Sequence, residues 1–381
     1  MRILLVGDYP PDPRLGSTKV PIKLQEEFRA LGHTCDVLLA DGIGPHPSNP
    51  YLRQALGPVA AWSAVRGKFK ASGPYNVVDV ASAEGLWIAA RIGHELHDAT
   101  IVSRSNGLEH LNYRRVLDDA AAGLIRKPWT RRLFHPAVRL TQVAAAARAA
   151  DRLIVLNEGD REFAIQQGWK PADAIDLIPH GVSSRFLADA PAAGAVRGRG
   201  ILFCGSWTDV KGVRYLADAF SQMVAHGVAG NLTILGGAVP SDEIRASFAA
   251  EARGRLTVLD RVAEEEVMAA YRSHDVLAFP STYEGFGMVL VEAMSQRLPV
   301  VATPVGCART LVVDGLTGLS VPARDSAALA RALEQLLADA TLRTRVSAAA
   351  LRAVEGMSWS ETARQTLVCY ERARRSARRA A

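Results

Sequence analysis

Apolar residues fall into two alternating patterns along the chain: unbroken runs of a few residues, and stretches in which they return every three or four positions. Unbroken runs mark strands covered on both faces, the condition of a parallel sheet packed between helices. Ile3–Val6 and Leu153–Leu156 are such runs; Cys35–Leu39 and Val77–Val80 are broken only by Asp36 and Asp79, and Thr100–Ser103 flanks Ile101 and Val102 with Thr and Ser, and all five read as strands. Between Ile3–Val6 and Cys35–Leu39, Val20, Leu24, Phe28 and Leu31 share one face of a helix predicted over Thr18–Leu31, with Gly32 as its stop. Alanine-rich Ala144–Ala150 is a further helix. After Arg185 the period weakens into the small-residue run Ala188–Gly198, which has the composition of a linker. A second series then begins: Gly200–Cys204, Leu232–Leu235, Leu256–Leu259, Val276–Phe279 and Pro299–Ala302. The predicted fold class is α/β, with two Rossmann-like, doubly wound domains over 1–187 and 200–359 and a linker at 188–199.

Length supports this division, because 381 residues exceed what one core usually organises. Ile3–Val6 is too short for the core of a secretory signal and reads as a first strand. No apolar run approaches the roughly 20 residues that span a bilayer. Cys35, Cys204, Cys307 and Cys369 are scattered, without the pairing of a zinc site or a disulfide framework, so a cytoplasmic location is expected. No Asp-x-Asp triplet or His/Asp cluster has the spacing of metal ligands.

Charge is unevenly placed. Residues 111–150 hold Arg114, Arg115, Arg126, Lys127, Arg131, Arg132, Arg139 and Arg148 against Asp118 and Asp119, which accounts for the whole net charge of +6. Trp129, Leu133 and Phe134 are interleaved with them, the makeup of a basic amphipathic surface resting on the anionic inner face of a membrane. A second basic run, Arg372 to Arg379, adds to the same attraction. No stacking aromatics or nucleic-acid motif accompanies these charges, so nucleic acid is not an expected partner.

The chemistry concentrates in Ser281-Thr282-Tyr283-Glu284-Gly285-Phe286-Gly287-Met288-Val289-Leu290-Val291-Glu292. A helix beginning near Phe286 aims unpaired N–H groups and a partial positive charge at whatever precedes it, which suits a diphosphate. Gly285 and Gly287 let the backbone come close. Glu284, in the loop ahead, can accept hydrogen bonds from sugar hydroxyls, and Glu292, further along the helix, can hold a ribose diol. A second cluster, Phe203–Gly212, is a strand and a turn ending in Lys211, a compact cation that would stabilise negative charge as a diphosphate leaves.

The Glu284 segment, continued by Leu298–Gly306 and Val313–Gly318, resembles the Glu-x7-Glu signature of the retaining glycosyltransferases of family 4, which have the two-domain GT-B fold. The resemblance implies two domains facing across a cleft, with a final helix over 360–381 returning to the N-terminal domain. It also implies a nucleoside-diphosphate sugar as co-substrate, no metal or other cofactor, and a glycan, lipid-linked or small-molecule acceptor. The departing phosphate would itself help deprotonate the acceptor, so that no protein base is needed. Donor contacts would come from Glu284, Gly285, Phe286, Gly287, Met288, Val289 and Glu292, and from Gly205, Ser206 and Lys211. Gly16 and Ser17, after the proline-stiffened loop 10–15, match the family's glycine-rich loop, which approaches the donor phosphates or the acceptor, and are counted among the donor contacts. Arg14 and His110 are candidate acceptor contacts.

Two positions depart from the family. Ser206 stands where an Arg is usual, which removes one phosphate-neutralising charge, and Arg261 and Arg309 are candidate replacements. Asn106 stands where a His usually contacts the donor sugar; an amide can still donate one hydrogen bond but cannot carry a proton at neutral pH. With Glu284 and Lys211, Asn106 completes the expected catalytic set. These departures keep two alternatives open: a nucleotide-sugar-binding protein impaired in catalysis, and a sugar-nucleotide epimerase.

Overall fold

The computed structural model describes the chain apart from residues 13, 45–46, 126–128, 193–196, 229 and 381 and the side chains of 129–131 and 376–380. It divides into two compact units: Met1–His180 with Trp359–Ala381, and Gly181–Ser358. The first contains β1 (Arg2–Val6), β2 (Thr34–Leu38), β3 (Val77–Ala81), β4 (Thr100–Arg104), β5 (Arg152–Val155) and β6 (Ile175–Leu177). The second contains β7 (Ile201–Cys204), β8 (Leu232–Leu235), β9 (Leu256–Leu259), β10 (Val276–Phe279), β11 (Val300–Ala302) and β12 (Leu319–Ser320).

Each unit is built on one six-stranded sheet, in the orders β2-β1-β3-β4-β5-β6 and β12-β11-β10-β7-β8-β9. Every pairing is parallel; Ile3 faces Cys35 and Val77, and Leu277 faces Leu202 and Val300. The runs of buried Val, Ile and Leu follow from helices covering both faces. In the second unit Leu216, Phe220, Ile234, Leu329 and Leu333 form part of one continuous core. In the first, one cluster around Leu4, Val65, Val78 and Ile101 is joined by another around Val143, Leu153 and Phe163.

Chain order reverses between β1 and β3 in the first sheet and between β7 and β10 in the second. The crevice outside the carboxyl ends at such a reversal is where open α/β sheets bind ligands.

The division falls before the expected linker. Gly181–Ala192 belongs to the second unit because Phe186, on the helix Ser184–Ala188, is fully buried there and its carbonyl accepts from Gln296 Nε2. The expected linker lies partly outside the described residues. The final helix, Trp359–Ala380, belongs to the first unit. Tyr370 donates to Asp79 Oδ2 at 2.6 Å, Arg104 Nη2 reaches Asp79 at 2.6 Å and Thr366 Oγ1 at 3.4 Å, and Thr362 Oγ1 donates to the Pro179 carbonyl at 3.0 Å. β6 and β12 were not predicted: each is three residues or fewer and half-exposed at an edge, too short to interrupt the surrounding pattern. Among the described residues no helix is long and apolar enough to cross a membrane.

Candidate functional site

In the second unit the loops after β7 and β10, the two strands at the reversal, are pressed together. Gly212, at φ +69°, makes this possible: a Cβ there would lie 1.9 Å from the Pro280 carbonyl oxygen. Thr282 N donates to the Val210 carbonyl at 2.8 Å and fastens the two loops. Lys211, ending the short turn Asp209–Lys211, is thereby delivered to Glu284, with Nζ 2.6 Å from Oε1. Ser281 Oγ donates to the same Oε1 at 2.8 Å. Oε2 of Glu284 makes no hydrogen bond among the described residues and is the carboxylate's open face.

The helix begins at Met288, two residues later than expected, and runs to Ser295. The Phe286 side chain is buried and its carbonyl accepts from Cys307 N at 2.7 Å, which holds that residue in the turn. Gly287 is the N-cap at φ +101°, where a Cβ would meet the Phe279 ring at 2.9 Å. Leu290 N bonds back to the Gly287 carbonyl, so the N–H groups of Met288 and Val289 have no intrahelical acceptor. Gly306 packs beneath this turn at φ +55°: a Cβ there would lie 2.4 Å from the Phe286 oxygen and 2.8 Å from Glu284 Cβ.

Glu292 lies on the buried side of the helix, 9% exposed, and its Oε2 accepts from the Tyr271 hydroxyl at 3.2 Å. The Tyr271 hydroxyl also lies 3.7 Å from Cys204 Sγ. Gly205, at φ +145°, closes β7 through its N–H to the Leu235 carbonyl, and Ser206 follows, half-buried. Glu284, Gly285, Phe286, Gly287, Met288, Val289 and Lys211 therefore gather at one reversal point, with Gly205 and Ser206 on the adjoining turn. Ser281 and Tyr271 were missed by sequence reasoning. Ser281 was signalled by its place three residues before Glu284; Tyr271 had no local signal, because it reaches Glu292 across a helix pair.

The remaining candidates lie in the first unit. Gly16 and Ser17 open the helix Gly16–Ala30, whose N-cap is Leu15; neither serves as a side-chain cap. Thr18 Oγ1 instead ties the helix to the Pro10 carbonyl at 2.7 Å. The Arg14 guanidinium is held by Asp12 at 2.9 and 3.0 Å. Asn106, after β4, donates from Nδ2 to the Tyr9 hydroxyl at 2.7 Å, and its buried Oδ1 has no partner among the described residues. Tyr9 was not anticipated; burial and then Glu84 push its phenol well above the ordinary range.

His110 packs among aromatic rings. Its ring lies 4.7 Å from Trp169 and 5.7 Å from Phe163, and burial lowers its pKa to about 4. It is a neutral packing group at pH 7.

Close to Asn106, Ser82 stands at φ +50° at the end of β3 and donates to Glu109 Oε1 at 2.6 Å. Arg139 spans Glu84 at 2.7 Å and Glu109 at 2.9 Å. Burial pushes Glu84 up, whereas at Glu109 burial is outweighed by Arg139 and Ser82, so that carboxylate sits below its usual range.

Arg139 is thus committed to the interior, which changes the picture of the basic stretch. Arg115 pairs with Asp119 at 2.6 Å, Arg114 lies 4.8 Å over the Phe163 ring, and Arg148 donates to the Gln167 carbonyl at 3.3 Å. Arg132 remains exposed. Arg126, Lys127 and the side chains of Trp129 and Arg131 lie outside the described residues. In the second basic run, Arg372 reaches Asp176 at 3.3 Å, and the side chains from 376 onward lie outside the described residues. Among the described residues no three His, Cys, Asp or Glu side chains form a group able to hold a metal ion.

The family model described as glycosyl transferases group 1 matches residues 198–339, which include Lys211, Glu284 and Glu292. D-inositol 3-phosphate glycosyltransferase of Kineococcus radiotolerans is 30% identical over 356 residues, covering 81% of each chain. Phosphatidyl-myo-inositol mannosyltransferase of Mycobacterium leprae is 39% identical over 204 residues, 52% of this chain and 54% of that one. Among solved structures, sucrose-phosphate synthase from Thermosynechococcus elongatus shares the fold at a TM-score of 0.78 and 22% identity, over 97% of this chain and 98% of that one.

Proposed function

The chain belongs to the glycosyl transferases of group 1, and from that premise we propose that it moves a sugar, with retention, from a nucleoside-diphosphate donor to a hydroxyl of a polyol-phosphate acceptor. The observation that carries the donor half is the Lys211–Glu284 pair at the start of the Met288–Ser295 helix. A diphosphate offers Lys211 a second anionic partner and meets the N–H groups of Met288 and Val289. Glu284 is then released to accept hydrogen bonds from the sugar, starting at its open Oε2. Glu292 and Tyr271 line the nucleoside side. In this reading the charge on the leaving group is met by Lys211 and the helix terminus, and the phosphate oxygen takes the acceptor proton.

The acceptor class follows from relatives named for inositol 3-phosphate and phosphatidyl-myo-inositol. Within the first unit, Tyr9, Gly16 and Ser17 follow β1 and Asn106 follows β4. Where the acceptor is lipid-linked, the cytoplasmic protein would meet it peripherally on an anionic surface. Co-sedimentation with vesicles containing phosphatidylinositol at low salt tests that part, and its failure removes the lipid-linked acceptor.

The central test is calorimetric titration with UDP-, GDP- and ADP-sugars, followed by turnover with inositol phosphate. Wild type binds one donor family, Glu284→Ala and Lys211→Ala each weaken that binding at least tenfold, and chelation of divalent ions leaves turnover unchanged. Unaltered binding in both variants overturns the assignment of the donor site. Donor isomerised without acceptor would identify an epimerase, and binding without transfer to any acceptor an impaired relative.

A further inference from the structure

Lys211 is already neutralised by Glu284 at 2.6 Å, and Ser206 brings no charge to the turn beside it. A diphosphate carries about two negative charges, so the pair and a helix terminus leave the site short of positive charge. We propose that Arg261, on the loop after β9, supplies the missing cation by reaching back across the end of β8 to the diphosphate. This rests on the reading of the second unit as a nucleoside-diphosphate site.

The geometry comes from Gly236, which closes β8 at φ +84° with its N–H bonded to the Leu259 carbonyl at 2.9 Å. A Cβ at Gly236 would lie 3.9 Å from Arg261 Cγ and 4.0 Å from the Gly205 carbonyl oxygen. The Arg261 stem and the residue before Ser206 therefore flank the same bare patch of backbone, although β9 and β7 are separated in the sheet by β8. Gly237 continues the patch: its carbonyl accepts from Trp207 N at 2.7 Å, so the β7 and β8 turns move as one. Arg261 is exposed, and its guanidinium makes no ion pair or hydrogen bond among the described residues. A planar fork on a long stem, lying over glycine backbone at the carboxyl edge of the sheet, is suited to two phosphate oxygens. The charge absent at position 206 is thus delivered from two strands away.

The test uses full-length protein and three ligands with the preferred base: nucleoside, nucleoside monophosphate and nucleoside diphosphate. Arg261→Ala weakens diphosphate binding about tenfold or more, leaves nucleoside affinity unchanged, and lowers the salt dependence of diphosphate binding. Because the residue is exposed, melting without ligand stays at the wild-type value. Adding Ser206→Arg to Arg261→Ala restores most of the lost diphosphate affinity, since it puts the charge back on the neighbouring turn. Equal losses for nucleoside and diphosphate would show a base contact and overturn the proposal. So would a loss in Arg309→Ala with none in Arg261→Ala. If wild type binds none of the three ligands, the donor-site reading itself has failed, which is a separate outcome.

Discussion

Gly306 and Gly315 both adopt left-handed backbone, at φ +55° and +68°, but only Gly306 sits under the Glu284 turn. Alanine at either position meets the same local penalty, about 1–2 kcal/mol for an L-residue in that region, offset by about 0.4–1 kcal/mol from a stiffer unfolded chain. At Gly315 nothing lies within 4 Å of the added carbon, so the cost stops there, near 1 kcal/mol. At Gly306 the carbon would lie 2.4 Å from the Phe286 oxygen and 2.8 Å from Glu284 Cβ. Neither atom can rotate away, because one is backbone and the other is fixed to it. Overpacking of this kind adds about 1–3 kcal/mol, for a total of about 2–4 kcal/mol. Relief requires moving the 284–287 turn, and with it the carboxylate. We therefore expect Gly306→Ala to unfold at clearly lower urea than Gly315→Ala, and to bind nucleotide sugar more weakly while Gly315→Ala binds normally. Equal destabilisation by the two substitutions, or normal donor binding in Gly306→Ala, would refute the claim that Gly306 seats the Glu284 turn.

Three further outcomes are expected. Asp160, buried with its carboxylate accepting from Leu108 N at 3.3 Å, has its pKa raised by desolvation to about 7. The stability tied to its neutral form is present in full below the unfolded value near 3.8 and is lost as pH rises through 7; Asp160→Asn should therefore gain about 2–3 kcal/mol on wild type between pH 5 and pH 8 in urea melts. Arg139→Met leaves Glu84 and Glu109 in the interior without their cation and should cost about 3–5 kcal/mol, whereas Arg132→Ser at the exposed position should change stability by no more than about 0.5 kcal/mol. Glu284→Gln removes the competitor for Lys211, so nucleoside diphosphate should bind as well as or better than to wild type. The corresponding nucleotide sugar should lose about tenfold in affinity by calorimetry.

The strands over the first and third hundred residues were legible because burial on both faces leaves an unbroken apolar run, and helices stood out by their period. β6 and β12 were not, since a three-residue edge strand with half its surface in water carries no such run. The domain boundary was misread for a similar reason: the polar, small-residue composition from Ala188 onward signals a linker, but Phe186 just before it had already joined the second core. Glu284, Lys211 and Glu292 were singled out in the sequence by residue type and spacing. Their arrangement was not legible there. Lys211 meets Glu284 across 73 residues because Gly212 lets two loops touch, and Asn106 meets Tyr9 across 97. Neither juxtaposition has a local period or motif. His110 looks chemical in sequence because it follows a functional loop; its packing against Phe163 and Trp169, and the burial that lowers its pKa to about 4, had no local signal.

The same constraint would govern the proposed donor site. On the proposed reading Glu284 holds sugar hydroxyls and Lys211 holds phosphate; the Glu284 side chain is only 10% exposed and would be costly to leave unpaired, while Lys211, at 30%, is partly shielded. Setting them 2.6 Å apart lets each satisfy the other until ligand arrives. In the proposed reading donor binding is an exchange: phosphate would replace Glu284 on Lys211, and sugar hydroxyls would replace Lys211 on Glu284, with little net change in hydrogen bonds. The cost of that economy is electrostatic, because the pair presents almost no net charge to an approaching anion. Attraction must come from a cation that the unliganded protein leaves unpaired. Ser206 cannot provide it, and at the carboxyl edge of β7 and β8 the group that meets the requirement is Arg261, whose stem lies over Gly236.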